Sequence, residues 1–587
     1  MRSFVLAVLL SVAGVWAAGD GSRANPLTVE SAQDLADLRL AVITGTEYKG
    51  VPVPNMGTGI FFKQTADIDL STVCGREKGN WKAIGPFAGS YDGGGHKISN
   101  LFADEDVDVA QNSALFGPIM AESKDTIYFE NIVIDKAYIH NSSTTGAIIT
   151  QVVSGVVVMR NNTVDLEYKS GSEDYAGGSQ VGGLVGNVVS GWAGFYNNTV
   201  KGSFQVTTAD GMYVGGLIGI LVADGNFTGN TNEAKFIAKG VGTVTIGGLV
   251  GQNISSTVIK DNTNKGNIQV ESPKGLSFVG GLIGVSTVKG YPNTYVGNVN
   301  YGEIEFTGVD ASLGGLFGLI QGDSTMVLDS CINQADVIYH GTGTRKYAYV
   351  GGIAGLWETT VGTRLQNFGN ILVEDVDKPY VGGLVGYVRE GTKSITLKES
   401  VNRGKITIKK DTAVDGWIAG LIGVTDSLSF VKLDSCTNMG DIEIDGTADS
   451  SLVLNPLVAF VPPAVNVDSS TSKNEGNVPV YEKDPDDGPG DGPGDGPGDI
   501  MSVPAIAMSL EVRVVQMGEG RITLEIPGME SMGRVLAQLF SYDGKRVPVS
   551  LNASGSLLHL EGVPSTGRFL VRVATQRGNR SIPVTLR

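Results

Sequence analysis

Apolar residues in this chain fall into short runs with a period of two, and the runs are separated by glycines that themselves recur. The phrase Gly182-Gly183-Leu184-Val185-Gly186 returns from Gly215, Gly247, Gly280, Gly314, Gly351 and Gly382. An eighth copy, Ala419-Gly420-Leu421-Ile422-Gly423, keeps the pattern with one Gly replaced. Successive starts lie 33, 32, 33, 34, 37, 31 and 37 residues apart. A period of that size marks stacked units, each burying its apolar face only against its neighbours.

A second element recurs between the phrases: an Asn, then a small residue two positions on, then an apolar or β-branched one. It reads Asn264-Lys265-Gly266-Asn267-Ile268, Asn300-Tyr301-Gly302-Glu303-Ile304 and Asn402-Arg403-Gly404-Lys405-Ile406, and the Asn returns at Asn232, Asn333, Asn367, Asn438 and Asn474. Alternating runs such as Lys405-Ile406-Thr407-Ile408 follow it, a strand signal. Each unit therefore reads as strand, turn, strand, and the units predict an all-β parallel β-solenoid. The Asn is expected at a turn, its amide bonding the equivalent Asn one coil away. Weaker copies at Ala114-Leu115-Phe116-Gly117 and Gly146-Ala147-Ile148-Ile149, with a degenerate one over Leu454 to Phe460, bring the count to about eleven coils, roughly 50 Å of stack at strand spacing.

The flanks differ. Residues 25–104 predict a cap: Leu27-Thr28-Val29 as a strand, then a Ser31-capped helix with Leu35 and Leu38 at helical spacing. Such a cap would cover the open end of a solenoid spanning 105–481. Residues 482–501 predict a linker in which Asp484 to Asp499 holds three Asp-Gly-Pro-Gly units and no strand formers, an extended spacer of up to roughly 50 Å at about 3.1 Å per residue. A calcium loop is the other reading of its aspartates, but the ligand spacing is absent. From 502 to 587 strand signals return without the Gly phrase, with Tyr542-Asp543-Gly544-Lys545 as a turn, and predict a separate small β-sandwich.

Composition narrows the function. Gly is 83 of 587 residues but periodic, so the chain is not a flexible low-complexity one. A net charge of −17 argues against nucleic acid or anionic lipid as a partner. Arg2 followed by the apolar run Phe4 to Val15 and the small-x-small site Val15-Trp16-Ala17 predicts a signal peptide over 1–18, too short to span a bilayer. The expected location is therefore outside the cytoplasm, secreted or attached to the cell surface. Cys331 and Cys436 each lie 17 residues after the start of a phrase, three coils apart; at about 4.8 Å per coil they are roughly 14 Å apart, too far for a disulfide. Sequons such as Asn226-Phe227-Thr228 and Asn253-Ile254-Ser255 read as chance products of an Asn- and Thr-rich repeat.

The chemistry-bearing residues are sparse. The four histidines, His96, His140, His340 and His559, have no second His or Cys at metal-ligand spacing, so no metal is expected. The Gly-Gly pairs lack the strand-loop-helix context and Lys of a phosphate loop, and no cofactor is expected. A polysaccharide-cleaving β-helix would need carboxylates brought together by neighbouring coils. Glu303 and Asp336 hold the same offset from their Asn, but their equivalents Lys235, Asn267, Asn370, Lys405 and Asp441 read as a solvated face.

A further row, Tyr213, Phe278, Tyr349, Tyr380 and Trp417, stands two residues before the first Gly of the phrase, interrupted by Thr245 and Ser312. Its strand is apolar on both faces, which points to packing. Rings exposed for stacking on sugars are the alternative.

The in-register phrase resembles the GLUG motif of bacterial surface proteins over residues 182–423, and Trp81-Lys82-Ala83-Ile84-Gly85 with Tyr91-Asp92-Gly93-Gly94-Gly95-His96-Lys97-Ile98 resembles the segment that commonly precedes such repeats. Some relatives with this motif are zinc peptidases that cleave immunoglobulin A; this chain has no His-Glu-x-x-His, so that activity does not carry over. The C-terminal stretch, through Leu539-Phe540-Ser541-Tyr542-Asp543-Gly544-Lys545 and Gly567-Arg568-Phe569-Leu570-Val571, resembles the sorting domain of the type IX secretion system. That resemblance implies the outer-membrane export machinery as a partner. The expectation is an exported surface protein, not an enzyme, presenting a rigid solenoid for adhesion or matrix contact to an extracellular carbohydrate or protein. A carbohydrate-active β-helix enzyme and a purely structural surface-layer protein are the alternatives.

Overall fold

The computed structural model describes residues 19–479, apart from 109–112, 123–124, 171–178, 209–210, 241–242, 288–292, 323–324, 343–346, 390–393, 426–429, 450 and 462–464, and then 513–518, 521–526, 536–541, 546–554, 556–564, 567–575 and 578–586. The predicted signal peptide over 1–18, the Asp-Gly-Pro-Gly stretch and the predicted turn at 542–545 lie outside the described residues.

The period-2 runs become strands that pair in parallel with the equivalent strand one coil on. A parallel β-solenoid of about 12 turns results. Fourteen strands, from Leu27–Val29 to Asn466–Asp468, form a first sheet, and eleven, from Ile119–Met120 to Val458–Phe460, form another. Between them run the short Asn-bearing strands and the strands that lead into the Gly phrase. In the unit that starts at Val250, the chain passes through Val250–Asn253, Thr257–Lys260, Thr263–Asn264 and Ile268–Gly280 before repeating.

The parallel ladder begins earlier than the 25–104 cap boundary implied. Leu27 pairs with Phe62, Phe62 with Tyr91 and Tyr91 with Phe129, all in parallel. These early strands carry too few Gly phrases to be recognised as coils, but they hold the same inward apolar rung. The cap proper is the helix Ala32–Thr44: Ser31 Oγ accepts a hydrogen bond from Asp34 N at 3.1 Å, and Gly45 ends the helix in the left-handed region. Its Leu35, Leu38 and Val42 are fully buried over the end of the stack. No described helix is long and apolar enough to cross a membrane.

Inward positions stack like on like. Phe195 lies 4.7 Å above Phe227 at an interplanar angle of 9°, and Phe204 lies 4.9 Å from Phe236 at 8°. Two amide ladders complete the core. In the first, each Asn Nδ2 donates to the Oδ1 of the next, from Asn232 through Asn264, Asn300, Asn333, Asn367, Asn402 and Asn438 to Asn474, at 2.7–2.9 Å. This is the ladder that the repeated Asn predicts. The second was not legible in the repeat: Asn162, Asn198, Asn230, Asn262 and Asn298 bond in series at 2.9–3.0 Å. All of these Asn but Asn474 are buried. A buried amide that found no partner would cost about 1–3 kcal/mol, so in-register stacking is strongly specified.

Cys331 continues the second ladder's position, with its Sγ 3.8 Å from Asn298 Nδ2. Cys436 occupies it three coils further on, after Leu365 and Ser400. All three cysteines are free and buried. The residue that precedes this position turns a corner in the left-handed region in coil after coil: Asn161, Asn197, Asp261, Ser330, Arg364, Glu399 and Ser435 all have φ between 47° and 58°.

The described C-terminal residues form two four-stranded antiparallel sheets, and Ile522, Leu524, Leu539, Leu560, Val571 and Val573 share one apolar cluster.

Candidate functional site

The Gly phrase lies at a corner where the coil folds back on itself. The strand before it keeps one face toward the main core, through Ile246, Val279, Leu313 and Val350. Its other face carries the aromatic row, and the third glycine lets the strand after the phrase lie against that face. A Cβ on Gly355 would meet Ser312 Oγ at 2.4 Å and the Tyr349 carbonyl oxygen at 2.7 Å.

Phe278, Tyr349, Tyr380 and Trp417 therefore pack on Val285, Leu319, Leu356, Tyr387 and Val424 in a second apolar cluster outside the main core. Tyr349 and Tyr380 are 5.1 Å apart, as are Tyr380 and Trp417. Tyr213, Phe278, Tyr349, Tyr380 and Trp417 are 8%, 3%, 1%, 3% and 6% exposed. No sugar ring could stack on them. The stripe is core, and the reading of these five as an exposed stacking surface is corrected: the notch supplies a second interior, which a strand apolar on both faces needs.

Glu303 and Asp336 do stand on adjacent coils, since Ile304 N donates to the Asp336 carbonyl at 3.0 Å. Their side chains sit in a solvent-facing row, and Asp336 Oδ1 accepts from Asn370 N at 2.7 Å. Glu303 N in turn donates to Asn267 Oδ1 at 3.2 Å, so the row is a chain of side-chain-to-backbone links between coils. Asn253 of the second sequon is buried and donates to Thr257 and to the Tyr295 hydroxyl, out of reach of any modifying enzyme.

One cluster escaped the spacing argument. Near the N-terminal end, His140 Nδ1 lies 2.9 Å from Asp104 Oδ1 and 3.5 Å from Asp106 Oδ2, and Arg76 lies 3.2 Å from Asp104 Oδ2. Burial works to raise the Asp104 pKa, but its hydrogen bonds to His140 and to Asp106 N, with the nearby Arg76, outweigh that and hold it below the usual carboxylate range. Asp104, Asp106 and His140 offer ligand atoms within 4.8 Å of one another. A cation there would have to displace the guanidinium, so the group is an ion-pair cluster as it stands. Only the fold brings these residues together, 36 positions apart.

The outward face at the first Asn ladder has three rows, set two residues apart on each coil. One row is Val299, Ile332, Gln366, Val401 and Thr437, half-buried; the next is Tyr301, Gln334, Phe368, Arg403 and Met439, all exposed; the third is Glu303, Asp336, Asn370, Lys405 and Asp441. Tyr301 is 55% exposed and Phe368 37%. The rings at the turn were hidden in sequence because they follow the Asn, where every residue type occurs.

No protein-family model matches the chain, and no curated protein matches it. Among solved structures, the crystal structure of "a putative immunoglobulin A1 protease from Bacteroides ovatus" is similar at 14% identity, over 78% of this chain and 86% of that one, with a TM-score of 0.21. A likeness at that level carries no argument about this chain.

Proposed function

We propose that this chain is an exported surface protein whose solenoid presents a rigid lateral face for adhesion or matrix contact, without catalysing a reaction. The observation that carries this reading is the pair of buried Asn ladders, which lock neighbouring coils at fixed spacing and register. A surface so locked loses little conformational freedom on binding, and many weak contacts along it add up. The signal-peptide pattern and the resemblance to GLUG-repeat surface proteins support the location. In this reading the two C-terminal sheets form a β-sandwich that serves the type IX export machinery as a sorting domain.

Among the described residues, one oxygen of Asp336 is held by Asn370 N and the histidine cluster is tied into ion pairs, which favours contact over turnover. The test is protease shaving of intact cells, combined with binding of the purified protein to immobilised extracellular proteins and glycans. Surface exposure with saturable binding is expected. An intracellular location, or catalytic turnover of a polysaccharide or protein, overturns the reading.

A further inference from the structure

We propose that the outer row Tyr301, Gln334, Phe368, Arg403 and Met439 is a binding face for an extended polysaccharide that runs along the solenoid axis, with sugars stacking on Tyr301 and Phe368. This rests on the surface reading above only in needing a ligand outside the cell.

The spacing is fixed by the backbone. Tyr301 N donates to the Asn264 carbonyl, Gln334 N to Asn300, Phe368 N to Asn333, Arg403 N to Asn367 and Met439 N to Asn402, all at 2.7–2.8 Å. Each residue of the row is therefore one coil from the next, and the two rings are two coils apart, about 9.6 Å at strand spacing. That is close to the length of a disaccharide in an extended β-linked chain, so two sugars with one between them can each meet a ring.

The same turn position is occupied differently in the three coils before Tyr301. There Lys201, Glu233 and Lys265 form a ladder of ion pairs, with Glu233 3.8 Å from Lys201 and 3.0 Å from Lys265. From Tyr301 onward the row changes to aromatic, amide, guanidinium and thioether groups. Met439 is 38% exposed two coils beyond Phe368, and the Arg403 guanidinium lies 5.5 Å from the Phe368 ring centroid.

The chemistry on either side suits a saccharide. A pyranose presents a C–H face that stacks on a ring and a rim of hydroxyls that needs hydrogen-bonding partners. The neighbouring row supplies carboxylates, an amide and an ammonium at the same coil spacing, through Glu303, Asp336, Asn370 and Lys405. A protein partner fits less well, because Gln334 separates the two rings, Arg403 separates Phe368 from Met439, and no contiguous apolar centre forms. The net charge of −17 disfavours a polyanion.

Affinity electrophoresis of the full chain in native gels tests this, with hydroxyethyl cellulose and glycol chitin as extended β-1,4 probes and dextran as the flexible control. Retardation by at least one β-1,4 polymer and not by dextran is expected. The double variant Tyr301→Ala/Phe368→Ala should weaken it tenfold or more with an unchanged circular dichroism spectrum, while Tyr301→Phe, which keeps the ring, retains it. Absence of retardation by both polymers, equal retardation by dextran, or retardation unaffected in the double variant overturns the proposal. Binding to immobilised proteins without any polysaccharide binding would sink this inference and leave the adhesion reading standing. Retardation by a β-1,4 polymer of a chain that shaving places inside the cell would overturn the surface reading and its extracellular ligand, while the stacking face itself would stand.

Discussion

The side chain of Asn367 lies against the backbone of Gly352, fifteen residues earlier: a Cβ placed on Gly352 would sit 2.2 Å from Asn367 Cγ and 2.4 Å from the Gly383 carbonyl oxygen. The two recurrent elements of the sequence are thus two sides of one contact. The same pairing recurs between Gly248 and Asn264, Gly281 and Asn300, Gly315 and Asn333, and Gly383 and Asn402. In the coil where Val200 precedes the ladder, Gly183 meets a Val side chain instead.

Gly352→Ala tests the contact. At an open site, replacing Gly by Ala stabilises by about 0.4–1 kcal/mol through the unfolded chain. Here the methyl meets a buried amide and a carbonyl that cannot move apart, so a loss of about 3 kcal/mol is expected. The shift in denaturation midpoint, read against Gly117→Ala, where a Cβ would meet nothing closer than 3.5 Å and the backbone is not in the left-handed region, decides it; equal effects would disprove the contact.

The ladder should be worth most in the middle. Asn402 Nδ2 donates to Gly404 O and Asn438 Oδ1, and its Oδ1 accepts from Asn367 Nδ2 and Gly404 N. Asn402→Ala leaves several buried groups unpaired, for a cost of about 3 kcal/mol. Asn474 stands exposed at the end of the series, and Asn474→Ala should cost under about 1 kcal/mol, since water replaces its bonds. Urea unfolding of the two variants should separate them by at least that difference.

Tyrosines of the inner and outer rows should respond oppositely. Tyr380 is 3% exposed among Tyr349, Tyr387 and Trp417, and Tyr380→Ala should destabilise by about 3–5 kcal/mol. Tyr301, at 55% exposure, should cost within about 0.5 kcal/mol. Calorimetry of the two variants would reverse the assignment of core and surface if the order came out the other way.

That pair of rows also shows where sequence reading ends. The period, the parallel stack, the first Asn ladder and the shared position of Cys331 and Cys436 were legible, because each depends on residues repeated in register. The notch was not. A strand apolar on both faces states that both are covered, but what covers the second face is set by the close approach that Gly355 and its equivalents allow. The second ladder was missed because Asn298 gives way to Cys331, Leu365 and Ser400, so the position keeps its geometry while losing its residue type. The His140 cluster needed tertiary proximity, and the Tyr301 row needed accessibility, which a turn position alone does not reveal.

Glu374 should make stability depend on acid pH. Its carboxylate is 2.7 Å from His340 Nδ1 and 3.2 Å from Lys409 Nζ. Burial works to raise its pKa, but the bonds from Lys409 and His340 outweigh it and hold the group below its ordinary value. A carboxylate lowered in the folded state contributes stability that is complete above its unfolded pKa, near 4.3, and is lost as pH falls through the folded value. With the side chain partly exposed, Glu374→Gln should cost about 0.5 kcal/mol at pH 7, a difference that shrinks as pH falls below about 4.3 toward the lowered folded value. A difference that stays constant across that range would show that the ion pairs contribute nothing.

The thiols offer a check on the register itself. Gln366 N donates to the Cys331 carbonyl, Val401 N to Leu365 and Thr437 N to Ser400, which puts Cys331 and Cys436 three coils apart. That separation is about 14 Å, against a Cα distance of about 4.4–6.8 Å in a disulfide. Both thiols are fully buried, and burial pushes the Cys331 thiol up to about 11, so neither the thiolate nor access is available in the folded protein. Native protein at pH 8 should therefore leave a disulfide reagent unreacted, and unfolding in guanidinium without reductant should release three thiols per chain. A bridge mapped between Cys331 and Cys436 would require the stack to slip by at least two coils, which the buried Asn pairs on either side forbid.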